Sequence, residues 1–402
     1  MSMMAKDGGT KSKTKEFMAW PYSNEREEEL LTEVTKSGKW WRMNGNKVKT
    51  FEQNFKNMLG VNYCIGVTNG THAIELALAA LGVQAADEVI LPAFTFISTL
   101  TAVIYSNAIP VIVDVDEETF CMDPVALERA VTKNTKAIIP VHMAGQCCNM
   151  DEICRIARKY DLKIIEDAAH AHGAEWNNRK AGSYGDIATF SFQNGKIMTC
   201  GEGGALVTND KELYEKAFLI HGVGRPDGDR KYEHLLLGSN YRMNEFQAAI
   251  LIAQLERLEN QNKKRIMNAC ILDQLLQDID GIRPQKTHEK VTLHSHYMYM
   301  FYYEADSFNG IERQEFVDLL ISEGIPAFIS YPVISETRFY KERAFRGYLN
   351  EKSDFIKHDL HRSSKIANEV VWLPHFVLLG DTQDLQEIAD AIKKIQVYSY
   401  TK

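Results

Sequence analysis

Between residues 63 and 207, short apolar runs alternate with stretches whose apolar positions recur every three or four residues. Tyr63-Cys64-Ile65-Gly66-Val67, Glu88-Val89-Ile90-Leu91, Val111-Ile112-Val113, Ala137-Ile138-Ile139-Pro140-Val141, Leu162-Lys163-Ile164-Ile165-Glu166-Asp167 and Ile187-Ala188-Thr189-Phe190 read as strands. Ala73, Leu76, Ala77 and Ala80 have helical spacing. Apolar strands separated by amphipathic helices predict a mostly parallel sheet with helices on both faces, an α/β fold. No Gly-x-Gly-x-x-Gly follows the first strand, which disfavours dinucleotide binding. Asn244-Glu245-Phe246-Gln247 resembles a capping box, opening a long helix through Leu251, Leu255 and Leu258.

Beyond Lys263 the pattern changes. Tyr297, Tyr299, Phe301 and Tyr303 alternate as in a strand and are expected in a sheet core rather than around a substrate; Phe316, Leu319 and Leu320 suggest a helix. Leu385, Ile388, Ala389, Ile392 and Ile395 give a final amphipathic helix, expected to be capped by Thr382. The expected organisation is a mobile tail (1–16), a large domain (17–262) and a smaller C-terminal α+β domain (263–402), with the boundary at a helix.

Length and composition narrow the class. A chain of 402 residues exceeds one ordinary domain, and 45% hydrophobic with 25% charged residues is typical of a soluble globular protein. A net charge of −8 argues against nucleic-acid binding and against adhesion to anionic membranes. Seven cysteines without metal-type spacing, Cys147-Cys148 among them, suggest a reducing, cytoplasmic setting. The lysine-rich N-terminus has no apolar core, so it reads as neither signal peptide nor membrane anchor.

The chemistry concentrates in four places. Ser191-Phe192-Gln193-Asn194-Gly195-Lys196 sets a lysine on a loop after an apolar strand, trailed by Gly201-Glu202-Gly203-Gly204. This suits a Schiff-base lysine of a pyridoxal-phosphate enzyme, with glycines admitting backbone close to a planar cofactor. Glu166-Asp167 ends a buried strand, and Asp167, at the C-terminal end, is the better placed to hold a pyridinium nitrogen. An acid capping the next helix would look similar. Thr68-Asn69-Gly70-Thr71 joins a strand to a helix, where free N–H groups and the helix dipole favour a phosphate, with Thr68, Thr71 and Ser191 as hydroxyl donors. Pro92-Ala93-Phe94-Thr95-Phe96 offers an aromatic, Phe96, to lie over a ring.

Taken in order, Asn-Gly-Thr-His-Ala, Pro-Ala-Phe-Thr-Phe, Glu-Asp-Ala-Ala-His and Ser-Phe-Gln-Asn-Gly-Lys with Gly-Glu-Gly-Gly resemble the fold-type I sugar aminotransferases of the DegT–StrS group. Trp40-Trp41-Arg42-Met43, Val141-His142-Met143-Ala144-Gly145 and His170, where the wider group carries glutamine, resemble the branch of 3-amino-5-hydroxybenzoate synthases and scyllo-inosose aminotransferases. The resemblance implies pyridoxal 5′-phosphate as cofactor, with Lys196 as Schiff-base lysine and proton shuttle. It further implies Asp167 at the pyridinium, His170 at the phenolic oxygen, Phe96 on the ring face, and Gly70, Thr71 and Ser191 at the phosphate. Asn240 would complete the phosphate site of a partner subunit, making a homodimer the working unit.

The expected activity is transfer of an amino group from glutamine or glutamate to a keto-sugar, as nucleotide or phosphate, or to a keto-cyclitol. Arg225, Arg230, His296 and Arg338 are candidates for the substrates' polar ends. The alternative uses Lys196 for dehydration and aromatisation of an aminodehydroshikimate, as in a 3-amino-5-hydroxybenzoate synthase. The stretch Ala327-Phe328-Ile329-Ser330-Tyr331-Pro332-Val333, expected to help line the substrate pocket, departs from that branch's pattern and favours transamination. A non-catalytic, ligand-binding relative would be expected to lack Lys196, Asp167 or the Gly70-Thr71 turn, and all are present.

Overall fold

The computed structural model describes residues 3–349 and 359–401, so parts of the expected tail and C-terminal domain lie outside the described residues. Seven strands form the main sheet: β1 (Tyr63–Val67), β2 (Glu88–Pro92), β3 (Ile109–Val113), β4 (Thr135–Ile138), β5 (Lys163–Asp167), β6 (Ile187–Ser191) and β7 (Gly204–Thr208). Their spatial order is β1-β7-β6-β5-β4-β2-β3. The block β6-β5-β4-β2-β3 is parallel, while β7 runs antiparallel to both β6 and β1. Helices pack on each face, and the buried apolar side chains divide accordingly. One layer holds Phe51, Phe55 and Phe190; the other holds Leu76, Ala77 and Leu100. Such strands are apolar throughout because neither face meets water.

A second sheet, β8 (Ile282–Pro284), β9 (Met298–Tyr303), β10 (Phe328–Ile329) and β11 (Val370–Pro374), is antiparallel in the order β8-β9-β11-β10. It packs with the Thr382–Ser399 helix around Phe301, Phe316, Leu385 and Ile392. The Glu245–Leu276 helix joins the two layers of the molecule. Asn244 and Gln247 form its capping box as the sequence indicated. Its Ala248, Leu251 and Leu258 enter the core beside the large sheet, whereas Ala269, Leu272 and Leu276 enter that of the small sheet. The boundary expected at 262/263 thus falls inside one continuous helix.

Two expectations need correction. The final helix is capped by Asp381, whose carboxylate accepts from the Asp384 N–H at 3.0 Å; Thr382 is its first helical residue. Both residue types make good caps, and one position separates them. The segment expected as a mobile tail packs on the small domain. Met4 is fully buried, Glu323 accepts from the Ala5 and Ser12 N–H groups at 2.8 Å each, and the buried Lys13 ammonium reaches Asp384 at 2.6 Å. Lysine-rich composition signals solvation, but it does not show that acids elsewhere in the chain wait to pair with it.

Candidate active site

The C-terminal ends of β5 and β6, the turn after β1 and the loop after β2 converge on a cavity of about 630 Å³. Open α/β sheets place ligands at this edge. Gly70, Thr71, Phe96, Asp167, His170, Ser191 and Lys196 all line it. Asn240 does not: it is exposed, its backbone bridged to Gly222, with the next residue's carbonyl accepting from the Thr68 N–H.

Strand alternation decides between the two acids. Glu166 points away from the cavity, where it accepts from the Gly182, Tyr184 and Gly185 N–H groups at 2.8, 2.6 and 2.7 Å and pairs with His142 at 3.0 Å. The Cys148 N–H donates to His142 Nδ1, so the proton on that ring lies on Nε2, toward Glu166. Asp167 faces the cavity. Its oxygens accept from Thr99 Oγ1 at 2.9 Å and the Ala169 N–H at 3.2 Å. Burial pushes the Asp167 carboxyl up, opposed by those two bonds and by Lys196.

The turn after β1 is shaped for an anion. Asn69 caps the Gly70–Leu81 helix by accepting from the His72 N–H at 2.8 Å, leaving the first helical N–H groups open to the cavity. A Cβ on Gly70 would stand 2.8 Å from the Ser191 Cβ, so only glycine lets the helix start meet the end of β6. The Thr71 hydroxyl donates to Ser98 at 2.8 Å, adding polar groups to the same corner. Thr68 is engaged elsewhere: its hydroxyl is 2.6 Å from His72 Nδ1, and it does not line the cavity. The glycines after Lys196 have a different use from the one expected. A Cβ on Gly204 would lie 2.4 Å from the Asn69 carbonyl carbon, so the close approach here is to the phosphate turn's backbone rather than to a cofactor.

Lys196 extends from its loop over Tyr297, with Nζ 4.4 Å from the ring centre. Burial brings its amine down to about 7, with Asp167 opposing. His170 lies against the same ring at 4.3 Å, its Nδ1 buried without a partner; burial, then Lys196 and His172, hold it well below the usual imidazole range. Phe96 is 52% exposed, with its ring 5.9 Å from Tyr331. Tyr297 stands just before β9 and Tyr331 two residues after β10, so strands of the second sheet bring both to the cavity. Thr99 is a site residue that sequence reading did not assign, whereas Tyr331 lies in the 327–333 stretch expected at the substrate pocket and does line the cavity. Tyr297, expected in the sheet core with Tyr299, Phe301 and Tyr303, instead lines the cavity: it stands one residue before β9, so only Met298–Tyr303 are held in the core by the strand.

None of the four residues expected at the substrates' polar ends lines this cavity. Arg225 and Arg230 border a separate hollow beside Trp41, where Arg225 binds Asp229 at 2.8 Å. His296 is stacked on His294 at 3.7 Å, and Arg338 is paired on the surface with Glu342. A charge seen in sequence carries no direction, and these elements turn theirs elsewhere.

The residues present fit a phosphorylated aromatic aldehyde. They supply an amine lowered to about 7, a buried carboxylate, an unpartnered imidazole nitrogen, an open aromatic face and a helix N-terminus. Comparison with known proteins agrees. Residues 21–393 match the model of the DegT/DnrJ/EryC1/StrS aminotransferase family. The chain is 44% identical to 3-amino-5-hydroxybenzoate synthase of Amycolatopsis mediterranei, covering 94% of this chain and 97% of that protein. It is 34% identical to the L-glutamine:2-deoxy-scyllo-inosose aminotransferase of Streptoalloteichus tenebrarius, covering 98% and 97% respectively. A crystal structure of 3-amino-5-hydroxybenzoic acid synthase superposes with a TM-score of 0.89 at 42% identity, over 96% of this chain and 100% of that one. The fold is that of the pyridoxal-phosphate-dependent aminotransferases, and the chain belongs to the DegT/DnrJ/EryC1/StrS aminotransferase family.

Proposed function

We propose that this protein transfers an amino group from glutamine or glutamate to a ketone on a cyclitol or a sugar. The observation that carries this reading is the Lys196 amine, brought to about 7 by burial and facing the same cavity as Asp167. An amine of that kind is free both to attack a carbonyl and to take a proton near neutral pH. Lys196 is assigned the covalent bond to the cofactor and the proton transfers at the substrate carbon. Asp167, held by Thr99 and Ala169, is assigned the ring nitrogen. His170 offers its unpartnered nitrogen to the phenolic oxygen, Phe96 covers a ring face, and Gly70, Thr71 and Ser191 receive the phosphate. Bound pyridoxal phosphate supplies the electron sink that makes the substrate's α-proton removable. Asn240, exposed and outside its own cavity, is assigned to the phosphate site of a second copy, so the working unit is a homodimer.

The cyclitol preference draws support from the inosose aminotransferase relatives. The second reading is dehydration and aromatisation of an aminodehydroshikimate, favoured by the 44% identity to a 3-amino-5-hydroxybenzoate synthase. The cytoplasm is the proposed compartment: the cysteines are all free, and no described helix is long and apolar enough to cross a membrane.

The test is to incubate the reconstituted enzyme with glutamine or glutamate and a panel of inososes and keto-sugars, assaying the oxo acid and the aminated product together. Stoichiometric formation of both supports transamination. Aromatic product from an aminodehydroshikimate without any oxo acid supports the second reading.

A further inference from the structure

Behind the Lys196 loop lies a cation with no acid. Arg265, on the Glu245–Leu276 helix, is 0% exposed, and no carboxylate among the described residues lies within ion-pair distance of it. Its Nη1 donates to Asn262 at 3.0 Å, and the Asn262 amide donates to the His172 carbonyl at 2.9 Å. Nη2 lies 3.3 Å from His375 Nδ1, and Nε has no partner. A guanidinium cannot escape its charge by losing a proton, so an unpaired one in a core costs several kcal/mol. Such a group persists where the neighbours it holds repay that cost.

Those neighbours lead to the catalytic loop. Trp20 lies 5.9 Å from the guanidinium and meets the His375 ring edge-on at 4.4 Å. The Trp20 indole N–H donates at 3.1 Å to the carbonyl of Asn194, two residues before Lys196. His375, at the end of the small-domain sheet, stacks at 6.2 Å on Tyr297, the ring beneath the Lys196 amine. Three separate parts of the chain therefore meet on Arg265: the segment before the first long helix, the small domain and, through them, the lysine loop.

We infer that Arg265 is a positioning residue for Lys196: it holds Trp20 and His375, and these fix the loop backbone at Asn194 and the Tyr297 ring beneath the amine. The inference rests on Lys196 being the reactive lysine. A loop displaced by about 1 Å is enough to cost two orders of magnitude in rate. The titratable and charged groups around the amine are Asp167, His170, His172, Tyr297 and His375. Removing Arg265 loosens the Trp20, His375 and Tyr297 packing that keeps water from the amine, and because burial is what lowers the amine, its titration moves upward.

The experiment compares Arg265→Lys, Arg265→Met and Trp20→Phe in the full chain, with Lys196→Ala as control. Lys196 acetylation is followed against pH by mass spectrometry in cofactor-free protein, and the donor half-reaction is followed in reconstituted protein. Arg265→Met is expected to move the Lys196 labelling midpoint upward and slow the half-reaction on the order of 10- to 100-fold. Arg265→Lys should recover part of both. Trp20→Phe, which keeps an aromatic ring but loses the indole N–H together with the five-membered ring that carries it, is expected to slow the reaction on the order of 3- to 10-fold, and it tests the proposal if Arg265→Met fails to fold. Unchanged midpoint and rate in folded Arg265→Met, or in Trp20→Phe if that variant alone folds, overturn the proposal. Lys196→Ala retaining full half-reaction activity would instead overturn the assignment of the lysine.

Discussion

The Lys196 amine lies 4.4 Å above the centre of the Tyr297 ring, in the cavity that Asp167 and His170 also line. Burial lowers it from 10.5 to about 7. The unfolded chain therefore holds more protons than the folded one between those values, and the stability of the cofactor-free protein should rise with pH across that window. Lys196→Met removes the cost of burying the amine and should stabilise the cofactor-free protein at pH 7 by roughly 2–4 kcal/mol while abolishing activity. Denaturant titrations at pH 7 and 10 check this. Parallel pH dependences in the two proteins would show that the amine is not strained by burial.

Asp167 depends on Thr99, which donates to it at 2.9 Å. Thr99→Val keeps the shape and removes the bond. We expect the half-reaction with glutamine to slow on the order of tenfold, with donor KM little changed, because a lost charge-assisted bond is worth about 1.5–3 kcal/mol. Asp167→Asn removes the charge itself and should be slower still. Stopped-flow spectra of both variants provide the check, and the reverse ranking would remove Asp167 from its assigned place.

Gly70 meets Ser191 where the phosphate is expected. Gly70→Ala places a Cβ 2.8 Å from the Ser191 Cβ, and that contact has to open. The variant should fold, yet lose bound cofactor on dialysis that the parent retains, with affinity lower by on the order of 10- to 100-fold as the cup widens. Equilibrium titration of the cofactor-free protein measures it.

Lys13 anchors the N-terminal segment on Asp384 at 2.6 Å and Glu387 at 3.0 Å. Lys13→Met leaves two acids without their cation and should cost about 3 kcal/mol, seen as a lower Tm. For Asp384, burial raises the carboxyl, but Lys13 outweighs this and holds it below 3.8. The stabilisation from this pair is therefore present above pH 3.8 and lost as pH falls through the depressed value, so the Tm difference between parent and variant should shrink in acid.

Much of this was readable in the sequence, for reasons that can be named. The place of Asp167 at the C-terminal end of its strand favours it over Glu166; strand period adds that the two face opposite sides, and the structure shows which side holds the cavity. The strand–Gly–helix turn at Gly70 and the loop lysine at 196 carry their chemistry within a few residues, and the chain folds each locally. Tyr297, Thr99 and Arg265 were not readable in that way, because each acts on a residue far away in the chain. Arg265 looks like any charge on a helix until the fold buries it with no acid among the described residues in its reach. The glycines at 203 and 204 were readable as a need for close approach, but not as to which backbone approaches. The cap at Asp381 and the docked N-terminal segment show the same limit: type and pattern are local, and partners are not.

The most direct test of the central claim is a visible absorption spectrum of the reconstituted protein before and after glutamine, followed by an inosose. The account predicts a cofactor band that glutamine discharges with release of an oxo acid, that the inosose restores with formation of an aminocyclitol, and that is absent in Lys196→Ala. A band that persists unchanged with glutamine and glutamate, while an aminodehydroshikimate is turned into an aromatic product, would contradict it.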